Sequence, residues 1–236
     1  MPGKFHHDQP GEQLTTVFPG PPRTEQELME RASELAGKTL QYLASRQNIE
    51  LPVSLNRAKG HIGTLLEKYL GSTAGSLPEP DFREIGVELK TLPLNKQGRP
   101  KESTYVCVVP LLPAEQTTWE QSLVKRKLSR VLWLPIEADA EIPLPRRRIG
   151  SPILWSPGAT QEKILRADWQ ELMDMVITGE LENISARLGH YLQIRPKAQN
   201  ARSLRQGISN TGDINATLPR GFYLRTRFTR TILQNH

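Results

Sequence analysis

A single cysteine, Cys107, occurs in 236 residues. It cannot close a disulfide within the chain, which fits a reducing compartment. It sits in "TYVCVVPLL", an apolar run that predicts a buried strand, so it is expected as a small buried hydrophobe and not as a nucleophile. No run of about 18 apolar residues occurs, so no membrane span is expected. The N-terminus, "MPGKFHHDQPGEQLTTVFPGPP", lacks an apolar core segment and does not read as a secretory signal. Residues 1–23 are expected as a flexible polar tail. No Gly-x-Ser-x-Gly elbow is present, which leaves the usual serine hydrolase chemistry unsupported. His6, His7, His61, His190 and His236 show no zinc-ligand spacing. "GKT" at Gly37 is not a phosphate-binding loop, because the earlier glycine that loop needs is Ala32. There is no internal repeat and no heptad pattern.

What remains is a somewhat polar globular chain, 37% apolar and 24% charged. Residues 24–236 are expected as one domain with two lobes that divide near residue 118. The net charge of +6 is unevenly placed. From Arg187 onward there are nine Lys or Arg and one acid, Asp213; the preceding residues hold 22 basic and 24 acidic side chains. A basic C-terminal segment on a slightly acidic body points to a polyanionic partner or to a solvated basic face.

Helices are predicted in "TEQELMERASELAGK", opened by a Thr24/Glu27 capping box, and in "TLQYLASRQ". "HIGTLLEKYLG" carries Ile62, Leu65, Leu66, Tyr69 and Leu70 at helical spacing and ends at Gly71. Further helices are expected around Trp119–Lys125 and over Thr160–Ile177. Strands are expected at Ile85–Leu92, Ser103–Val109, Arg130–Ile136, Ile149–Trp155 and in "YLQIRP". "GFYLRTRFTRTILQ" reads as a strand or a basic helix. The elements lack doubly wound spacing, so the fold class is mixed α/β (α+β), a mixed sheet flanked by helices.

The chemistry gathers in "PDFREIGVELKTLPL". On a strand, Ile85, Val87 and Leu89 point one way and Glu88 and Lys90 the other. Asp81, seven residues before Glu88, comes from the preceding loop and is able to fold back. Two carboxylates at one place repel unless a cation lies between them. Oxygen ligands of this kind suit Mg²⁺, with waters and a phosphate completing the shell. Lys90, beside carboxylates, should keep its proton and stabilise charge on a phosphate. A water on the ion is then the expected nucleophile, and a general-base role for Lys90 stays open.

Together with "KGHIGTLLEKYLG", "LQIRPKAQN" and "LPRGFYLRTRFT", this stretch resembles the MutH family of DNA mismatch repair endonucleases from about residue 24 onward. Pro80-Asp81…Glu88-Leu89-Lys90 matches the Pro-Asp…(Asp/Glu)-x-Lys signature without departure. The resemblance implies a restriction-endonuclease-like fold, with two lobes around a DNA-binding cleft. It implies Asp81 and Glu88 as Mg²⁺ ligands, Lys90 as the catalytic lysine and Lys127 near the site. Glu67 lies off the apolar stripe of its helix and by pattern reads as solvated; the resemblance places it in the acidic cluster instead. It implies a nick in the unmethylated strand of hemimethylated GATC, 5′ to the G. Arg195 would read the G, as an arginine fork pairs with O6 and N7, with Lys197 beside it. Tyr223 would sense adenine methylation, and Lys59 would meet a phosphate. Arg202, Arg205, Arg225, Arg227 and Arg230 are expected to supply salt-dependent backbone contacts. The implied partners are double-stranded DNA, a MutL-type ATPase activator and, indirectly, MutS. A cytoplasmic, nucleoid-associated monomer is expected. Two alternatives stand beside this: a GATC restriction enzyme cutting both strands, and a non-catalytic DNA-binding protein.

Overall fold

The protein is described by a computed structural model covering residues 20–52, 55–112, 117–185, 187–197, 204–209 and 211–235, without the side chains of 55–59. Residues 1–19 of the expected tail, and Arg202, lie outside the described residues. So does the side chain of Lys59, although its backbone belongs to a helix.

The chain begins with three helices, α1 (Glu25–Ser33), α2 (Leu40–Arg46) and α3 (Leu55–Leu70). Thr24 caps α1 by accepting the Glu27 N–H at 3.1 Å. The other half of the expected capping box is not formed, because the Glu27 carboxylate accepts from the Arg23 N–H instead. Thr39 caps α2 in the same way, accepting the Tyr42 N–H. The stripes of these helices meet: Leu28, Ala32, Leu40, Leu43, Leu65, Leu66 and Leu70 are all buried in one cluster.

β1 (Glu88–Leu94) follows, then β2 (Thr104–Val108), α4 (Leu123–Leu128), β3 (Val131–Glu137) and β4 (Ile153–Trp155). β1 runs parallel to β3, and β3 is antiparallel to β4, so this three-stranded sheet is mixed. Both faces of β3 are buried, and its two-residue period divides the interior. Leu132, Leu134 and Ile136 join the helical cluster, while Val131 and Trp133 join a second one. The interior thus holds two hydrophobic clusters. Each cluster draws residues from both sides of residue 118.

The second cluster is closed by α5 (Ala159–Ile177), β5 (Leu192–Pro196), β8 (Arg220–Leu224) and α6 (Thr226–Gln234). β8 lies between β2 and β5 in an antiparallel sheet. Phe222, Leu224, Leu192 and Ile194 face the core. A bulge between Tyr105 and Cys107 turns both Val106 and Cys107 inward. Cys107 is a buried free thiol whose pKa burial pushes up to about 12, so it stays protonated and packs as a hydrophobe. "GFYLRTRFTRTILQ" turns out to be a strand and then a helix. α6 buries Phe228, Thr229 and Ile232 against the second core and keeps Arg227 and Arg230 outside.

A hairpin of β6 (Arg205–Ile208) and β7 (Ile214–Thr217) is one element the sequence did not announce. Its residues are mostly exposed, so no apolar alternation marks it. Among the described residues no helix is long and apolar enough to cross a membrane.

Candidate active site

The acidic stretch is folded by a short return of the chain. Phe82 and Val87 bridge each other, the Phe82 N–H donating to the Val87 carbonyl at 2.9 Å. Gly86 makes the return possible at φ +65°, a region that costs a side-chain-bearing residue about 1 kcal/mol or more. The return brings Asp81 back to β1, where its Oδ2 accepts the Leu89 N–H at 2.8 Å. The Asp81 carbonyl is held from behind by the Thr73 N–H and the Ser72 hydroxyl. Val87 and Leu89 enter the helical core, as their alternation requires, and Glu88 and Lys90 face the other way.

Glu88 is nearly inaccessible, with 2% of its side chain exposed. Its Oε1 accepts from Lys90 Nζ at 2.5 Å. From α4, Lys127 Nζ reaches both carboxylate oxygens, at 3.0 and 2.9 Å. One buried carboxylate thus holds two ammonium groups that are themselves only 11% and 13% exposed. Asp81 lies beside this group; burial and then the Glu88 charge raise its pKa, against the Leu89 N–H and the two lysines. Glu67, on the last turns of α3, is half-buried, not fully solvated as its helical pattern suggested. Its pKa is raised by burial first, then by Asp81 and Glu88. The structure therefore brings Asp81, Glu88, Lys90, Lys127 and Glu67 to one place.

Asp81 and Glu88 are the residues suited to hold a divalent cation. The Glu88 charge that helps raise the Asp81 pKa would be offset by a cation held between the two. Among the described residues no three His, Cys, Asp or Glu side chains converge as a complete metal cage.

The cluster opens into a cleft of about 710 Å³ lined by Glu67 of α3, Lys90 of β1, Ser103 and Tyr105 at β2, Arg195 of β5 and Tyr223 of β8. On the outer face of the β2–β8–β5 sheet, Arg195 pairs with Gly221 and Gln193 with Tyr223. Arg195 Nη1 donates to the Ser103 hydroxyl at 2.7 Å, and its guanidinium lies 5.8 Å from the Tyr223 ring centre. Lys197 Nζ donates to the Tyr105 hydroxyl at 2.8 Å. Burial lowers the Lys197 pKa, with Arg205 adding to the effect, and burial raises that of Tyr223. The Tyr105 and Tyr223 rings meet edge to face, with centres 5.4 Å apart. Gly221 makes room for them: a Cβ there would stand 2.9 Å from Tyr105 Cε2 and 3.0 Å from Tyr223 Cε2.

The sequence missed Ser103 and Tyr105. The two-residue period of a strand puts residues 103 and 105 on one face, but the consecutive apolar Val106, Cys107 and Val108 mask that alternation. Arg225 and Arg227, expected at DNA phosphates, donate to the carbonyls of Leu188 and His190 and tie the turn before β5 to α6. Arg205 and Arg230 are exposed.

The family described as "DNA mismatch repair enzyme MutH" matches residues 70–168, which span β1, β3 and most of α5. The chain is 52% identical to the DNA mismatch repair protein MutH of Serratia proteamaculans over 219 residues, covering 93% of this chain and 96% of that protein. It is 53% identical to the protein of that name from Escherichia coli, covering 92% and 94%. With that of Photorhabdus laumondii it shares 51% identity over 225 residues, covering 94% and 99%. Identity at this level, over nearly the full length of each relative, means that the chain belongs to the MutH family.

Proposed function

We propose that this protein is a Mg²⁺-dependent endonuclease that nicks the unmethylated strand of hemimethylated GATC duplexes in methyl-directed mismatch repair. The observation that carries the proposal is one arrangement. Lys90, which with Lys127 clasps the buried Glu88 beside Asp81, lines a cleft that Glu67, Arg195 and Tyr223 also line. A hydrolytic group and a base-reading group thus face the same space. A MutL-type ATPase, recruited after a MutS-type protein finds a mismatch, is the proposed activator, and the protein acts as a monomer at the nucleoid.

Asp81 and Glu88 would hold the ion, which supplies polarisation of a phosphoryl oxygen and a lowered pKa for an attacking water. Lys90 lies on the open side of Glu88, where its ammonium stabilises the negative charge that develops on the phosphate. Lys127 shares the same carboxylate and keeps Glu88 from turning away. The Leu89 N–H fixes Asp81 through its Oδ2. Glu67 adds a third carboxylate at the mouth of α3. Across the cleft, Arg195 would offer a fork to G O6 and N7, and the Tyr223 ring beside it would be sensitive to a methyl added to adenine.

A plasmid with one GATC site tests the proposal. It is presented unmethylated, hemimethylated and fully methylated, with Mg²⁺ or EDTA, with and without the MutL-type partner. Mg²⁺-dependent nicks confined to unmethylated strands are expected. Bound but uncut DNA under every condition would move the protein to the binding-only class.

A further inference from the structure

We propose that Ser103 is a positioning residue for sequence recognition: its hydroxyl holds the Arg195 guanidinium in the direction from which it reads a guanine. This rests on the assignment of Arg195 as the reader and extends it to the opposite strand of the sheet. Arg195 is on β5 and exposed, and β5 is separated from β2 by β8. An exposed arginine on an outer sheet face samples many rotamers, and that freedom is lost when it docks on a base. Here the side chain starts level with Gly221, its direct backbone partner, and crosses β8 diagonally beside the Tyr223 ring. It ends at Ser103 Oγ, 2.7 Å from Nη1. The same crossing is made one pair along the strands, where Lys197 ends at the Tyr105 hydroxyl. Residues 103 and 105 on one edge thus hold residues 195 and 197 on the other, each pair at the two-residue spacing that keeps side chains on one face.

The bond uses one Nη1 hydrogen. The Nε and Nη2 hydrogens stay available for a base edge, and their direction is set by the bond already made. A bidentate contact to guanine needs two parallel donors in one plane, so a fixed guanidinium reads better than a free one. The Tyr223 ring, 5.8 Å from the guanidinium, limits its swing on the other side.

The test compares Ser103→Ala, Ser103→Thr and Arg195→Ala with the unchanged protein. Each is assayed for the ratio of kcat/KM on a hemimethylated GATC site to that on AATC, in which the read guanine is replaced. Ser103→Ala is expected to lower this ratio about threefold to tenfold, as for one side chain left to be ordered on binding, with the loss on the GATC substrate. Ser103→Thr, which keeps the hydroxyl, is expected to restore it. If Ser103→Ala keeps the ratio while Arg195→Ala loses it, the Ser103 role is wrong and the reader assignment stands. An equal slowing of both substrates by Ser103→Ala would show a merely structural role and overturn the proposal. If Arg195→Ala itself keeps the ratio, the reader assignment fails and takes this proposal with it.

Discussion

Replacing Glu88 by alanine should damage the fold as well as the chemistry, and the structure allows the size to be worked out. The carboxylate is 2% exposed and accepts from two ammonium groups at 2.5 to 3.0 Å. Each pair has a gross attraction of more than about 4 kcal/mol at an effective dielectric of about 20. Most of that is offset by the cost of taking the charges out of water. Removing one partner leaves that cost in place without the compensation, and such losses run to about 3–5 kcal/mol. Lys90 and Lys127, 11% and 13% exposed, have little water to turn to and would repel each other. Against a total stability of about 5–15 kcal/mol, the loss is a large fraction, worth a drop of about 10 °C in Tm. Urea unfolding in EDTA, at neutral pH, reads it directly. The double variant Glu88→Ala/Lys127→Ala should be more stable than Glu88→Ala alone, because it also removes one unpaired ammonium. A Glu88→Ala protein within about 1 kcal/mol of the original would refute the reasoning. It would mean that the lysines re-pair with Asp81 or Glu67 at little cost.

Other perturbations probe the reading face and the frame. Arg195→Ala should cost about 1–3 kcal/mol of discrimination at the guanine, seen as relaxed cleavage of sites altered at that base. Unchanged preference would remove Arg195 from the reading face. Gly221→Ala should cost about 1–3 kcal/mol in stability, because the new methyl meets both tyrosine rings; thermal denaturation measures the loss, and the displaced Tyr223 should narrow the gap between methylated and unmethylated substrates. Glu25→Gln breaks the two-bond clasp that Arg130 makes on Glu25 at 2.8 and 2.6 Å. The hydrogen bond from Arg130 holds the Glu25 carboxyl below the usual carboxylate range. Its contribution, under about 1 kcal/mol for a pair this exposed, is therefore present above the unfolded glutamate pKa of about 4.3. It is lost as pH falls through the lower folded value. Unfolding curves of the two proteins should differ at pH 7 and converge in acid.

Local patterns carried much of this molecule. The alternation in "EIGVELK" already put Glu88 and Lys90 opposite Val87 and Leu89, because strand periodicity is a property of a few neighbouring residues. The stripe of α3 and its end before Gly71 were legible for the same reason. Lys127 was not, except through the family resemblance. It lies 39 residues from Glu88, and only the pairing of β1 with β3 and the packing of α4 bring it there. Glu67 was misjudged by pattern alone, because a helix face away from the core stripe normally meets water, and here it meets two more carboxylates. Ser103 became visible only once β2 and β5 were seen to flank the same strand. The β6–β7 hairpin lacked the apolar alternation that would have announced it. Its spacing from Glu88 allows Asp81 to fold back, but the bridge between Phe82 and Val87 is what places it.

The most direct measurement uses one protein, Lys90→Ala, and two readings taken on the same hemimethylated GATC duplex. Lys90 donates to the buried Glu88 carboxylate and lines the cleft from β1, whereas Arg195 and Tyr223 line it from β5 and β8. Nicking in Mg²⁺ should fall to background while binding of the duplex, and its preference for GATC, stay largely intact. Nicking at the original rate would contradict the assignment of this cluster as the hydrolytic centre.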